Sequence, residues 1–566
     1  KAPDVLVVDH QMERVLPDGS VESEISAVYR INDQTGVDQH GEASFSGELL
    51  ELKVVHPDGS IDEPTPAKGS YALPNLKPGN FILVRSRVYS EAAPGSTPRL
   101  GNFQFQSLER PYVLSQYVLS LPKNSDLRLI ERNFDGEHDI TESDAEITHQ
   151  FTKRNSPRIM PERSAPDPMR FLPWVQAGIS KTHAQLNRSF RTQLRTMDVS
   201  EEIKEAAANA VAAANAKNDR DVAKCLYQFT NDTLLERGGG TATRSLLEKR
   251  GNPVALYGAL LKARSVPFDY VYVRAIPEGG DDEPEPEFLD ASRYHRVLFR
   301  IHPREGGEPI WVDVSLKLQP FGERPAALSG SEAFVTNEYN PEIIKLPLLP
   351  DDESIPLELL SSFELRGGQT AIAKVQLTLH NEQSWGAREQ IRNQTADIKK
   401  TIASQISNQF VEGVELINFD FPNMSDASSP LKFIFEGNVN NFLRQGTSGL
   451  EAPSVVRPIP LAKQFAGRSK RKLPVRLRVV QLFKENVTVT PGEMQTFGEI
   501  PKDVIKNGFG IDYQLRFKQA GGSLMIERTL KLTPVTIPAE DYPSFMALCR
   551  EIEEAELSKI PVNEKK

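Results

Sequence analysis

Residues 249–268 read KRGNPVALYGALLKARSVPF. From Pro253 to Ala263 the residues are apolar or good helix formers. The run then gives way to Phe268-Asp-Tyr-Val-Tyr-Val-Arg274, which alternates like a strand. Pro253 stands at the expected start of the helix, where the first-turn N–H has no helical partner and proline is tolerated. Two further strands are expected after it, Tyr294–Ile301 and Pro309–Asp313, with an acidic, proline-rich loop over 277–287 between the first strand and the second. The middle of the chain is therefore read as an α+β unit with its helices before its sheet.

A chain of 566 residues is too long for a single core. Residues 1–151 alternate in short strands and are expected to form a β-sandwich. The tetrapeptide Pro-Asp-Gly-Ser occurs at 17–20 and again at 57–60. Proline presets the first turn dihedral and glycine accepts positive φ, so each copy is expected to close a hairpin. Residues 152–168, rich in Pro, Arg and Ser, read as a linker. Residues 169–350 read as the α+β core, whose first helix Trp174 would anchor. In this core Ser200 is expected to cap a helix through an alanine-rich run, and 222–235 carries an apolar helical stripe that Gly238-Gly-Gly240 ends. Residues 351–566 read as a C-terminal β-rich domain with helices near 386–409 and 540–557. The fold class expected is α+β multidomain.

Net charge is −10, which argues against a general nucleic-acid binder. No run of about 18 apolar residues is present, so no membrane-spanning helix is expected. The chain begins at Lys1 without methionine, as a processed or truncated product would. The two cysteines, Cys225 and Cys549, fit no metal-ligand spacing. His295 and His302 lie seven apart and so on opposite sides of a continuous strand, and no metal site or cofactor is expected.

Taken together, the helix, KRGNPVALYGALLKARSVPFDYVYVR, RYHRVLFRI and PIWVDVSL resemble the transglutaminase-like superfamily, whose core is related to papain-like cysteine proteases. The flanks are similar to the β-rich domains that accompany this core in bacterial proteins, through HPDGS and LPNLKPGNFI on one side and IPAEDYPSFMALCREIEEA on the other. The resemblance places Gly251 and Asn252 on the Gly-polar pair before the nucleophile. Pro253 falls on the nucleophilic cysteine, His295 on the general base and Asp313 on the orienting carboxylate. It implies a papain-like core between β-rich domains, and a vestigial triad without a nucleophile.

Proline offers no side chain to attack with, and it lacks an N–H that would stabilise an oxyanion. Cys225 lies on an apolar helical stripe and reads as a core thiol, and Ser245 belongs to the preceding helix. His295 and Asp313 read first as a hydrogen-bonded pair that holds the sheet. A binding cleft would involve Asn252, Tyr257, Tyr294, His295 and Trp311, although Tyr257 also reads as a packing residue. The function expected is a catalytically inactive binding or scaffold module with protein partners, in a bacterial periplasmic or envelope assembly. Two alternatives stand beside it: an active hydrolase or acyl transferase with another nucleophile, and a carbohydrate- or peptidoglycan-binding protein. The oligomeric state is left open.

Overall fold

The computed structural model describes residues 2–45, 47–92, 100–178, 181–194, 197–274, 288–289, 291–337, 340–349, 357–446, 449–477 and 481–565. The chain is strand-rich and folds as two compact units. One is Lys1–Thr182 with Glu283–Asp290, the other His183–Asp282 with Ala291–Lys566.

The first unit is built on an eight-stranded sheet. Its order is Glu137–Glu142, Glu146–Ser156, Tyr112–Pro122, Asp4–Val15, Val21–Ile31, Phe81–Ser90, Glu48–Val55 and Ile61–Asp62. All pairs are antiparallel except Asp4–Val15 with Tyr112–Pro122. The two Pro-Asp-Gly-Ser copies close the hairpins Asp4–Val15/Val21–Ile31 and Glu48–Val55/Ile61–Asp62, as the sequence suggests. Both use one geometry. Gly19 and Gly59 each take φ +86°, and Asp18 and Asp58 each accept from the serine amide two residues on, at 2.9 and 3.0 Å.

Two small sheets cover the main sheet of this unit. Arg128–Arg132, Trp174–Gly178 and Asn102–Gln104 form the first, which helps to bury Phe103, Tyr117, Phe151 and Val175. Glu42–Ala43, Ser70–Ala72 and Thr65–Ala67 form the second, near a core of Leu6, Ile31, Val54 and Ile82. Between these cores the sheet carries polar groups: Glu13 accepts from Tyr117 Oη at 2.5 Å and Asp9 from Ser115 Oγ at 3.1 Å.

Here the structure moves a boundary. Trp174, expected to anchor the first core helix, lies in a strand of the first unit. Its Nε1 donates to Met169 O at 2.7 Å, and its ring packs with Ile130 and Phe288. The segment expected to be a linker continues strand Glu146–Ser156 and then leads into Trp174–Gly178. The break falls after Thr182 because that strand pairs back with Arg128–Arg132 and Asn102–Gln104.

In the second unit, helices Glu201–Ala214, Asp219–Thr233, Ala242–Glu248 and Pro253–Ala263 precede an antiparallel sheet. Its order is Ile310–Val312, Tyr294–Ile301, Phe268–Arg274, Glu332–Thr336 and Glu342–Lys345. Ser200 caps the first of these helices, accepting from Ile203 N at 3.4 Å. Seven consecutive residues of the fourth, Ala255–Leu261, are buried. A helix apolar on all sides sits inside a core rather than over it. Gly258 sets its approach to the sheet, since a Cβ there would meet Tyr270 Oη at 2.2 Å.

The same unit holds a second eight-stranded sheet, in the order Val414–Asp420, Leu431–Val439, Ala371–Leu379, Leu357–Leu365, Gln481–Thr490, Ser523–Leu532, Ile511–Ala520 and Val504–Gly508. The terminal helix Tyr542–Glu556 buries Tyr542, Phe545, Cys549 and Ile552 in its core. The helix expected near 386–409 is two, Asn381–Ile391 and Ala396–Phe410. Thr395 starts the second by accepting from Ile398 N at 3.4 Å.

Candidate functional site

The N-terminus of helix Pro253–Ala263 is where the resemblance puts a nucleophile, and the chain itself has closed it. Asn252 is the N-cap. Its Oδ1 accepts from Val254 N at 2.9 Å and Ala255 N at 3.2 Å, so two of the helix's unpartnered amides are already satisfied. Pro253 follows at the first helical position with no N–H to give.

Gly251 takes φ +145°, and a Cβ on it would lie 2.4 Å from Ser245 Oγ. Ser245 is fully buried. It donates to Thr241 O at 2.7 Å and accepts from Asn252 N at 2.9 Å, which ties the two helices together. The segment before the turn runs alongside it: Glu236–Arg237 pairs in parallel with Arg250–Gly251, and Gly238 N donates to Gly251 O at 2.7 Å. The polar groups of the turn are taken up within the chain: Asn252 N by Ser245 Oγ, Val254 N and Ala255 N by Asn252 Oδ1, and Gly251 O by Gly238 N.

His295 lies on strand Tyr294–Ile301 at a β-bulge. The pairing with Phe268–Arg274 steps from Val273↔Arg296 to Arg274↔Tyr294, which leaves His295 as the extra residue. Its side chain is exposed. A bulge re-aims a side chain and interrupts the ladder.

Asp313 is almost wholly buried, at 1% exposure. Among the described residues it is held by Arg296 and the Ser315 amide, not by His295. Arg296 reaches Asp313 Oδ2 with Nε at 2.8 Å and Nη2 at 2.5 Å, and Ser315 N donates to Oδ1 at 2.8 Å. The expected His295–Asp313 hydrogen bond is thus replaced. A buried carboxylate needs a compensating charge. A guanidinium supplies it permanently and at two points, whereas a neutral imidazole does not. Arg296 was not singled out in the sequence. Its signal was there, a cation beside His295 on the strand next to the one that leads into Asp313.

The other cleft candidates do not converge. Tyr257 is fully buried; its Oη donates to Ala223 O at 3.1 Å and its ring stands edge-on to Phe299 at 4.8 Å. Tyr294 is 7% exposed, packs edge-on to Phe190 at 5.5 Å and donates to Glu332 Oε1 at 3.1 Å. Phe299 and Tyr270 face the helices. Trp311, opposite Arg300 in the ladder, packs instead with Val271, Val273 and Leu298. His302 is bonded to Asp269 Oδ2 at 2.8 Å and belongs to a separate network with Arg300.

Neither thiol is poised to react. Cys225 donates to Val222 O at 3.2 Å, and burial raises its pKa. Cys549 is fully buried, and burial pushes its thiol up to about 12. The thiolate is the nucleophilic form, and burial disfavours it at both positions. Among the described residues no three His, Cys, Asp or Glu side chains gather as a metal site, and no helix is long and apolar enough to cross a membrane.

Residues 454–562 match a family of domains of unknown function, DUF3858. This segment contributes strands to the second eight-stranded sheet and includes the terminal helix. No curated protein matches the chain. Among solved structures, a candidate protease from Parabacteroides distasonis is 12% identical and matches with TM-score 0.60, covering 99% of each chain. At that identity the likeness is one of fold. An M1 zinc metallopeptidase from Deinococcus radiodurans is 13% identical over 31% of this chain and 43% of its own, with TM-score 0.19.

Proposed function

We propose that this chain is a non-catalytic member of the transglutaminase-like superfamily that acts as a binding or scaffold module in a bacterial extracytoplasmic assembly. The observation that carries the reading is Pro253 at the first position of the buried helix, directly behind an Asn252 cap that takes the neighbouring amides. A reaction through an acyl intermediate needs an attacking atom and donors aimed at the oxyanion. The first is missing from the sequence at this position, and the second are engaged. The pairing of Asp313 with Arg296 supports the reading further, because the carboxylate is not placed to orient an imidazole.

The test uses the full chain with a glutamine-containing peptide, a labelled primary amine and a thiol-directed electrophile. Wild type is expected to form no covalent adduct and to incorporate no amine. Pro253→Cys is expected to take up the electrophile yet still incorporate no amine, since Asp313 remains with Arg296. An acyl adduct trapped on wild type would sink the proposal. In parallel, cross-linking in the native envelope fraction is expected to give a stoichiometric protein partner. Recovery of the chain alone counts against the scaffold role.

A further inference from the structure

A cavity of about 410 Å³ opens in the second unit beside the first turn of helix Asn381–Ile391. This volume falls within the range of small-molecule sites, roughly 300–1,000 Å³. Four stretches of chain wall it: 322–324, Leu349, the helix start with its N-cap His380, and 427–430. It is separate from the closed turn at Pro253 and does not depend on the reading of that turn.

The polar groups around it divide by role. Three of the described acceptors near it are committed. Asp426 accepts from the hydroxyls of Ser428 and Ser429 and from Ser428 N, and these bonds hold its carboxyl down to about 2. Glu382 Oε2 accepts from Ala326 N at 3.1 Å. Ser384 Oγ already accepts from Arg388 Nη1 at 2.5 Å and from Leu431 N at 3.1 Å. Among the described lining residues Glu323 is the one carboxylate, and it is exposed, so water screens it.

Donors make up the rest. The guanidinium of Arg324, 7% exposed, lines the cavity while its Nη2 donates to Pro347 O at 2.6 Å. His380 Nε2 is buried without a hydrogen bond, and the half-exposed Glu358 carboxylate stands 3.5 Å from it. His380 gives the helix no side-chain cap, so the positive end of an 11-residue helix borders the same space. Trp385, Leu349 and Pro430 supply an apolar wall.

Donors on one side and an apolar wall on the other fit an acceptor-rich head on an apolar body. We propose that this cavity binds a small organic oxyanion, a carboxylate or a phosphate ester. Charge-assisted bonds from Arg324 and His380 would hold the head, and Trp385 would cover the body.

The experiment titrates the full chain by calorimetry with benzoate, phenyl phosphate and neutral benzamide at fixed ionic strength. One of the two anions is expected to bind saturably at one site, and the tighter one identifies the head group. Benzamide is expected to bind at least about tenfold more weakly, the loss of a charge-assisted contact. His380→Gln is expected to weaken the anion about fivefold or more without lowering the melting temperature of the ligand-free protein, because its side chain is partly exposed. Arg324→Lys should retain part of the affinity and Arg324→Gln should lose it; if the latter fails to fold, His380→Gln decides. The proposal is overturned if neither anion binds below about 10 mM, if benzamide binds as well as benzoate, or if His380→Gln binds as wild type does.

Discussion

The sequence reading pairs Asp313 with His295 in a hydrogen bond that holds the sheet; the structure buries Asp313 but pairs it with Arg296. What the sequence did not show was which neighbour would win it. His295 and Arg296 are adjacent, and a single-residue bulge decides which of them follows the regular ladder. Bulges leave little trace in side-chain periodicity, so the pairing was not legible. The consequence can be measured. Arg296→Met leaves an uncompensated buried carboxylate. Breaking a buried pair costs about 3–5 kcal/mol, and Arg296 is 29% exposed, so a loss near the lower end is expected in urea unfolding at pH 7. Among the described residues, Asp313 in the variant keeps only the Ser315 amide and has no cation bonded to it. Adding Asp313→Asn should restore most of the loss, and a double variant no better than Arg296→Met refutes the account.

Elements with strong local signals were legible: the helices started by Ser200 and Asn252, the alternating strand Phe268–Arg274 and the two Pro-Asp-Gly-Ser hairpins. The division of 386–409 into two helices rests on a local cap at Thr395 and was available in the sequence. Interactions between elements were not available. The clearest joins strand Gln481–Thr490, strand Ser523–Leu532 and the terminal helix Tyr542–Glu556. Arg528, fully buried, lies 2.7 Å from Glu556 Oε1 and 2.8 Å from Glu485 Oε2. Two buried carboxylates share one buried guanidinium. Glu556 also accepts from Ile459 N at 2.6 Å. Burial raises the pKa of Glu485, with the attraction of Arg528 opposing it. Its folded pKa thus lies above the ordinary glutamate value of about 4.3. The native state holds this proton longer than the unfolded chain, so the contribution is full below the unfolded pKa and is lost as pH rises through the folded one. Glu485→Gln removes that slope and keeps the Arg528–Glu556 pair. Urea midpoints from pH 4.5 to 8 should show the variant gaining on wild type as pH increases, whereas parallel profiles would show that Glu485 stays ionised throughout.

At the scale of the whole molecule, the structure puts Trp174–Gly178, which the sequence assigns to the central α+β stretch, in the first compact unit. Composition marked 152–168 as a linker because Pro, Arg and Ser are frequent in connecting segments. Composition carries no information about where the next strand pairs. Trp174–Gly178 returns to strands some forty and seventy residues earlier, and that pairing carries the first unit on to Thr182. A further piece comes from much later in the chain. Phe288, 6% exposed, completes the small core of Ile130 and Trp174, and Lys181 N donates to Leu289 O at 3.0 Å. A residue inside the stretch that reads as the central α+β unit therefore stabilises the N-terminal one. Phe288→Ala removes a buried aromatic ring and leaves a cavity, at a cost of about 3–5 kcal/mol. The loss should appear where the ring packs. Amide exchange is expected to accelerate in Arg128–Arg132 and Trp174–Gly178, while the sheet from Ile310–Val312 to Glu342–Lys345 keeps its protection. If exchange instead rises in that sheet and not beside Trp174, then Phe288 belongs to the unit its sequence position implies, and the division of the chain after Thr182 is wrong.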